Sequence, residues 1–381
     1  MKPPYRIPSR AEILNRPSNG FTVVSTFSGG GGSCLGYRWA GYRVLYANEF
    51  IKAARETYAA NFPNAVIDDR DIREVSATDI TNAIDRDIGD IDIFEGSPPC
   101  SSFSAAGRRD KLWGQVKPYS DTRQRTDDLF DEWIRLVDAL QPRVCIAENV
   151  PALASGKAVG YYKRITRAIT NAGYTVKATE LNAMWLGVPQ RRKRLFIIGV
   201  RSDLERAPVF PKPLPYWYSI REAVSGIDSI RVKGIVGSAD HPAPTLQTHG
   251  RPQTRSELVV LETSPRFDRQ PNTSEPYAIY DEWKKLAEGA KSTKYRNLMR
   301  ADSSKASPTV TQMGGLVGAA AVTHPSEPRK FTIAELKRIS GFPDDFELTG
   351  TYRQQYERLG RAVCPPVTKA IGETIERYVL R

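Results

Sequence analysis

Apolar runs of strand length recur through the first half of the chain: FTVVSTF at 21–27, RVLYAN at 43–48, AVI at 65–67, IDIFEG at 91–96, RVCIAE at 143–148, YTVKATELN at 174–182 and RLFIIGV at 194–200. Between them, 33–40, 51–61, 127–140 and 161–172 carry helix-like patterning. This alternation predicts an α/β fold with a mostly parallel sheet covered by helices on both faces. In such sheets ligands gather at the carboxyl ends of the strands. The candidate motifs are expected at that edge.

After Val200 the rhythm stops. Residues 201 to about 325 are rich in Pro, Ser, Thr and charge, and the segments HPAPTLQTHG and KASPTVTQMGG echo one another within them. The echo is short, and shared β-turn chemistry accounts for it. Helical patterning returns in FTIAELKRISGF, where Thr332 and Glu335 have the spacing of a capping box, and again over 366–380. A chain of 381 residues exceeds the usual single core. The expected organisation is an α/β domain over 1–200, an inserted domain over 201–325 and a C-terminal return to the first domain over 326–381.

Charge and cysteine usage narrow the class. A formal net charge of +12 points to a polyanionic partner such as nucleic acid. The four cysteines lie far apart with no CxxC pair, and there are only three histidines. Neither a disulfide framework nor a structural metal site is expected. The first apolar run is too short to span a bilayer and lacks signal-peptide flanks, so a cytoplasmic protein without membrane attachment is expected.

The chemistry starts at STFSGGGGSCLG, where glycines between a strand and a helix let the backbone approach a ligand. Such a cluster alone also fits a tight structural turn or a nicotinamide dehydrogenase. Glu49, after the next strand, stands where a carboxylate would accept ribose hydroxyls, and Asp71, after the third, could take an exocyclic amine. Behind the fourth strand comes SPPC. Most free cysteines are small buried hydrophobes, but Cys100 on a stiff strand-end turn suits a nucleophile toward an electrophilic ring carbon. Glu148, in AENV, is placed to protonate or hydrogen-bond a ring nitrogen and so raise that ring's electron demand. In QRRKRLFIIG alternate residues of a strand share a face, so Arg192 and Arg194 are expected to point together at a carbonyl oxygen or a phosphate.

Taken in order, FSGGGG, NEF, DIR, GSPPCSSFS, DDLF, AENV, GVPQRRKR, FTIAELKRISGFPDDF and RLGRAVCPP resemble the motifs of the DNA (cytosine-5) methyltransferase family. The resemblance implies a Rossmann-like class I methyltransferase fold with an inserted target recognition domain. It implies a monomer, bacterial or phage-encoded, that acts on double-stranded DNA with S-adenosylmethionine. It assigns Phe27, Ser28, Gly29, Gly30, Gly32, Glu49, Phe50, Asp71, Ile72, Pro99, Leu129, Arg361 and Ala362 to the cofactor. Cys100 would attack C6 of a flipped cytosine while Glu148 engages N3 and Arg194, supported by Arg192, holds O2. Ser101, Ser102, Arg108, Arg109 and Gln190 would contact DNA, the first four within an aperiodic basic stretch that suits a loop closing over phosphates.

Two positions depart from the family pattern. Ser25 stands where the family commonly has Asp, and Arg361 where it commonly has Asn beside the methionine end of the cofactor. A guanidinium there would be repelled by a sulfonium unless it met an anion. That anion is either the methionine carboxylate or a carboxylate on the transferred group, as in carboxy-S-adenosylmethionine, which would make the product 5-carboxymethylcytosine. An outward-turned Arg361 is the third alternative. An RNA cytosine methyltransferase and a catalytically silent DNA-binding relative also remain open.

Overall fold

The computed structural model describes residues 2–99, 116–120, 122–225, 279–295, 297–315 and 321–381. By internal packing the chain forms two compact units, one of residues 10–186, 193–213 and 363–381, the other of residues 1–9, 187–192 and 214–362. Residues 363–381 thus pack with the N-terminal α/β elements, whereas 326–362 pack with the inserted region.

The first unit is built on a seven-stranded sheet: β1 (Thr22–Thr26), β2 (Arg43–Asn48), β3 (Val66–Asp68), β4 (Ile93–Gly96), β5 (Val144–Asn149), β6 (Tyr174–Asn182) and β7 (Lys193–Arg201). Its order is β3-β2-β1-β4-β5-β7-β6. Each strand lies where the apolar runs predict it. The sheet is parallel except that β7 runs antiparallel to both β5 and β6. That reversal corrects one expectation: the QRRKR motif sits at the amino end of its strand. Because β7 is antiparallel, that end lies on the same edge as the carboxyl ends of the other strands, with Leu195 opposite Asn149 and Phe196 opposite Glu148.

Helices α1 (Gly32–Trp39), α2 (Lys52–Asn61), α3 (Ala77–Ile84), α4 (Leu129–Leu140) and α5 (Val159–Asn171) alternate with the strands. The sequence reading has no helix at α3, although Ser76 and Asp79 form a capping box at its start. One core layer buries Leu129, Trp133, Leu136 and Leu140 of α4 against Val24 and Phe94 of the sheet. Gly96 makes this contact feasible, since a Cβ there would come within 2.6 Å of the Trp133 ring. Elsewhere in this unit α1 packs on α8 (Pro365–Ile375), with the Thr368 hydroxyl donating to the Ser33 carbonyl at 3.1 Å.

In the second unit, α6 (Ile333–Ile339) begins with the anticipated capping box of Thr332 and Glu335. Next comes α7 (Tyr352–Arg361), absent from the sequence reading but capped by Thr351 and Gln354 in the same way. Apolar side chains at Ile279, Trp283 and Leu298 form a small separate core.

Candidate active site

At the end of β1 the backbone turns sharply. Phe27 adopts φ +52°, unusual for a bulky residue, and Gly29 and Gly31 follow at +57° and +88°. Glu49 ties this loop to the end of β2, its Oε2 accepting from the Gly29 amide at 2.6 Å and its Oε1 from the Ile51 amide at 2.8 Å. Ser28 and Gly32 are buried beside it and Gly30 is half-buried, while Phe50 is exposed. Beyond β3, Asp71 caps a turn that buries Ile72 and pairs with Arg73 at 2.8 Å. Arg73 also reaches Asp128 at 2.7 Å, so one guanidinium links the third strand end to the residue before Leu129, the buried start of α4.

Beneath the loop lies a residue that the sequence reading did not single out. Glu95 on β4 is opposite Ser25 on β1 and only 3 % exposed. Its Oε1 accepts from the hydroxyls of Ser25 and of Ser33, the latter at 2.8 Å, and Ser25 Oγ also lies 2.8 Å from Ser28 Oγ. Burial, with a smaller contribution from the Glu148 charge, raises the Glu95 carboxyl to about 7 against the two hydroxyl bonds that lower it. An ionisable residue inside an otherwise apolar strand was the available signal. Ser25 thus has an acid opposite it on the neighbouring strand.

At the end of β5, Glu148 is nearly buried and its Oε1 lies 3.0 Å from Nε of Arg194 on β7. The neighbouring Asn149 amide donates to the Pro98 carbonyl at 3.0 Å, which anchors the SPP turn to this strand end. Pro99 is half-buried there. Cys100, Ser101, Ser102, Arg108 and Arg109 lie outside the described residues.

Arg192 and Arg194 do not act as a shared-face pair. Gln190 and Arg191 pair with Ser307 and Pro308 as a separate short ladder, and the strand bearing Arg194 begins only at Lys193. The alternation expected of one continuous strand is broken between them. Arg192 is buried in the second unit and donates to the carbonyls of Val310 at 3.0 Å and Gly360 at 2.9 Å. Gln190, 1 % exposed, donates to Ser340 Oγ at 3.2 Å and accepts from the Val310 amide at 3.1 Å. Arg361, in the last turn of α7, pairs with Glu357 at 2.8 Å, and Ala362 caps that helix.

Cys34, Cys145 and Cys364 are buried, and burial pushes the Cys34 thiol up to about 11 and the Cys145 thiol up to about 12. Among the described residues no cluster of three or more His, Cys, Asp or Glu side chains could hold a metal ion. No helix among them is long and apolar enough to cross a membrane.

Known proteins share both sequence and fold with this chain. Over 371 residues it is 30 % identical to the Type II methyltransferase M.PspPI of Psychrobacter sp., covering 97 % of this chain and 82 % of that one. It is 29 % identical over 364 residues to the Type II methyltransferase M.NgoFVII of Neisseria gonorrhoeae, covering 95 % and 88 %. Among solved structures, one described as a DNA modification methyltransferase encoded within an E. coli prophage superposes with a TM-score of 0.69 at 22 % identity, over 95 % of this chain and all of that one. The S. pombe Dnmt2 methyltransferase superposes with a TM-score of 0.57 at 17 % identity, over 94 % and 98 %. Residues 21–377 match the model of the C-5 cytosine-specific DNA methylases, and the chain belongs to that family.

Proposed function

We propose that the protein methylates carbon 5 of a cytosine rotated out of duplex DNA, with Cys100 as nucleophile and Glu148 as the group that activates the ring. The observation that carries this reading is the Glu148–Arg194 pair, held at a strand end that is itself bonded through Asn149 to Pro98, two residues before Cys100. The high thiol pKa values of Cys34 and Cys145 support the assignment, because only a thiolate is an effective nucleophile.

The residues present fit S-adenosylmethionine. A Cβ on Gly29 would meet nothing within 4 Å, so the loop is open where it leaves β1, and the buried Glu95 carboxyl beneath it suits a cationic ligand. Phe27, Ser28, Gly29, Gly30, Gly32, Glu49, Phe50, Asp71, Ile72, Pro99 and Leu129 would hold the cofactor, which supplies an electrophilic methyl group. The Cys100 thiolate adds to C6, which drives electron density onto C5 while Glu148 engages N3 and Arg194 holds O2. Once C5 carries the methyl group, a base takes its proton and the thiolate leaves, restoring the C5–C6 double bond. Extrusion from the duplex is required because C6 is inaccessible within the stack.

Two observations favour methyl over carboxymethyl transfer. Arg361 already pairs with Glu357, and the Ser25 hydroxyl is bonded to an acid, Glu95. Duplex DNA bearing 5-fluorocytosine, supplied with S-adenosylmethionine, tests the mechanism: fluorine replaces the C5 proton that the base must remove, so the methylated adduct persists. Wild type is expected to form a covalent complex that survives denaturation, and Cys100→Ser none. An adduct formed equally by Cys100→Ser refutes the assignment, and preferential trapping on tRNA would refute the DNA substrate.

A further inference from the structure

The placement of Glu95 is costly. A carboxyl that is 3 % exposed loses most of its hydration, and burying one is tolerated when hydrogen bonds or a counter-charge compensate. Here compensation is one-sided. Both hydroxyl donors, Ser25 and Ser33, serve Oε1, and among the described residues Oε2 accepts no hydrogen bond. No Lys or Arg of the described residues forms an ion pair with it. The groups facing it are Cys34 and Tyr37 of α1, whose ionisation its charge opposes, and Glu148 of β5, another acid. Cys34 and Tyr37 stay neutral, so the one charge facing an ionised Glu95 among these groups is that of Glu148, which repels it.

Two features nevertheless favour the anion. The carboxyl lies against the first turn of α1, where Ser33 is the second residue and backbone amides present partial positive charge. Through Ser25 it is also bonded in series to Ser28, the residue that leads into the glycine loop. The carboxyl is thus poised between its two forms directly beneath the loop that faces the ligand, with one oxygen uncommitted.

We propose that Glu95 is a cofactor-binding carboxyl: ionised, it holds the positive charge on the methionine half of S-adenosylmethionine, and it gives up its proton as the cofactor binds. This rests on the methyltransferase reading above. The sign follows from linkage. With a carboxyl that ionises near 7 in the free protein, a cation binding the anionic form must displace a proton below that pH and need not above it. Affinity therefore rises with pH toward 7, by up to about tenfold per pH unit, and levels above it until the cofactor's own α-ammonium, which titrates at about 8, begins to lose its proton.

Isothermal titration of S-adenosylmethionine into the full chain between pH 5.5 and 8.5, in buffers of differing ionisation enthalpy, reads both affinity and protons released. Wild type should release close to one proton on the acid side and none at the upper end. Glu95→Gln should bind more weakly at pH 8, by about tenfold or more, with no pH slope and no proton release. Glu95→Asp should recover the slope. S-adenosylhomocysteine, which keeps the ammonium but lacks the sulfonium, locates the charge: a retained slope assigns the ammonium, a lost slope the sulfonium. If Glu95→Gln fails to fold, cofactor-induced loss of a protonated-carboxyl band in the wild-type infrared difference spectrum carries the test. Binding that is independent of pH without proton release overturns the proposal, as does a Gln variant that keeps wild-type affinity and proton release. Absence of binding at every pH would instead overturn the methyltransferase reading, and this proposal with it.

Discussion

Gly36→Ala sets two effects against each other and so tests the packing of α1, the helix that follows the glycine loop. Gly36 lies within α1, where alanine is the better helix former by about 1 kcal/mol. Against this, an added Cβ would stand 2.0 Å from Thr368 Oγ1, 2.3 Å from the Pro365 carbonyl and 3.0 Å from the Lys369 amide. Two of the three obstacles are main-chain atoms of α8, so the helices must separate. Overpacking of this kind costs ~1–3 kcal/mol. Displacing Thr368 also loses its bond to the Ser33 carbonyl, worth ~1 kcal/mol. The clash wins by about 2 kcal/mol, which lowers the melting temperature by ~4–8 °C for a unit of this size. Gly160→Ala in α5 is the control. Nothing lies within 4 Å of its Cβ and its φ is not positive, so the variant should match wild type or gain up to ~1 kcal/mol. Far-UV circular dichroism melts of the three proteins decide the matter. A Gly36→Ala protein that melts at or above wild type would refute the close α1–α8 approach.

Glu148→Gln keeps the shape of the strand end but removes the acid; the single-turnover rate on duplex DNA should fall by ~10²-fold or more, and an unchanged rate would remove Glu148 from the chemistry. Lys330 is fully buried, its Nζ 2.6 Å from the Gly314 carbonyl, and burial lowers its ammonium to about 8. Since the folded value lies below the unfolded one, stability should be lowest below pH 8 and rise between about 8 and 10.5, so Lys330→Met should raise the melting temperature more at pH 7 than at pH 10.5. Exchanging 214–325 for the matching segment of a relative should change the sequence methylated but not the modified base, as read by bisulfite sequencing, because base contacts specify while the catalytic groups lie elsewhere. An exchange variant that folds and keeps the original site would refute the recognition role.

The strands were legible because each is a short apolar run closed by polar or glycine residues, as in IDIFEG. What apolarity does not encode is direction. The reversal of β7 depends on which neighbour it pairs with, and nothing in RLFIIGV differs from a parallel strand. Helices α3 and α7 were missed for lack of a long apolar stripe, yet both carry local capping boxes that mark their starts. Glu49, Asp71 and Glu148 stand out in the sequence because each lies at or just beyond the end of an apolar run, where ligands of such sheets gather. Arg192 shows the limit of that reasoning: a bend between Gln190 and Lys193 redirects a side chain that periodicity had aimed alongside Arg194. Glu95 was overlooked because a single acid inside a strand has no motif, and its meaning emerges only with Ser25 and Ser33 beside it.

Several buried side chains of the second unit are fastened to main-chain atoms, which every residue possesses. Arg192 grips the carbonyls of Val310 and Gly360, Gln190 accepts from the Val310 amide, and Lys330 donates to the Gly314 carbonyl. At Val310 a fastening whose far side is main chain does not depend on the side chain there, whereas Gly314 and Gly360 are held to glycine, since a Cβ would come within 2.4 Å of the Tyr356 hydroxyl and 2.5 Å of the Gln312 amide, respectively. The stretch around Val310 can therefore diverge between lineages without Arg192 and Gln190 having to change in step, provided that the backbone keeps its course.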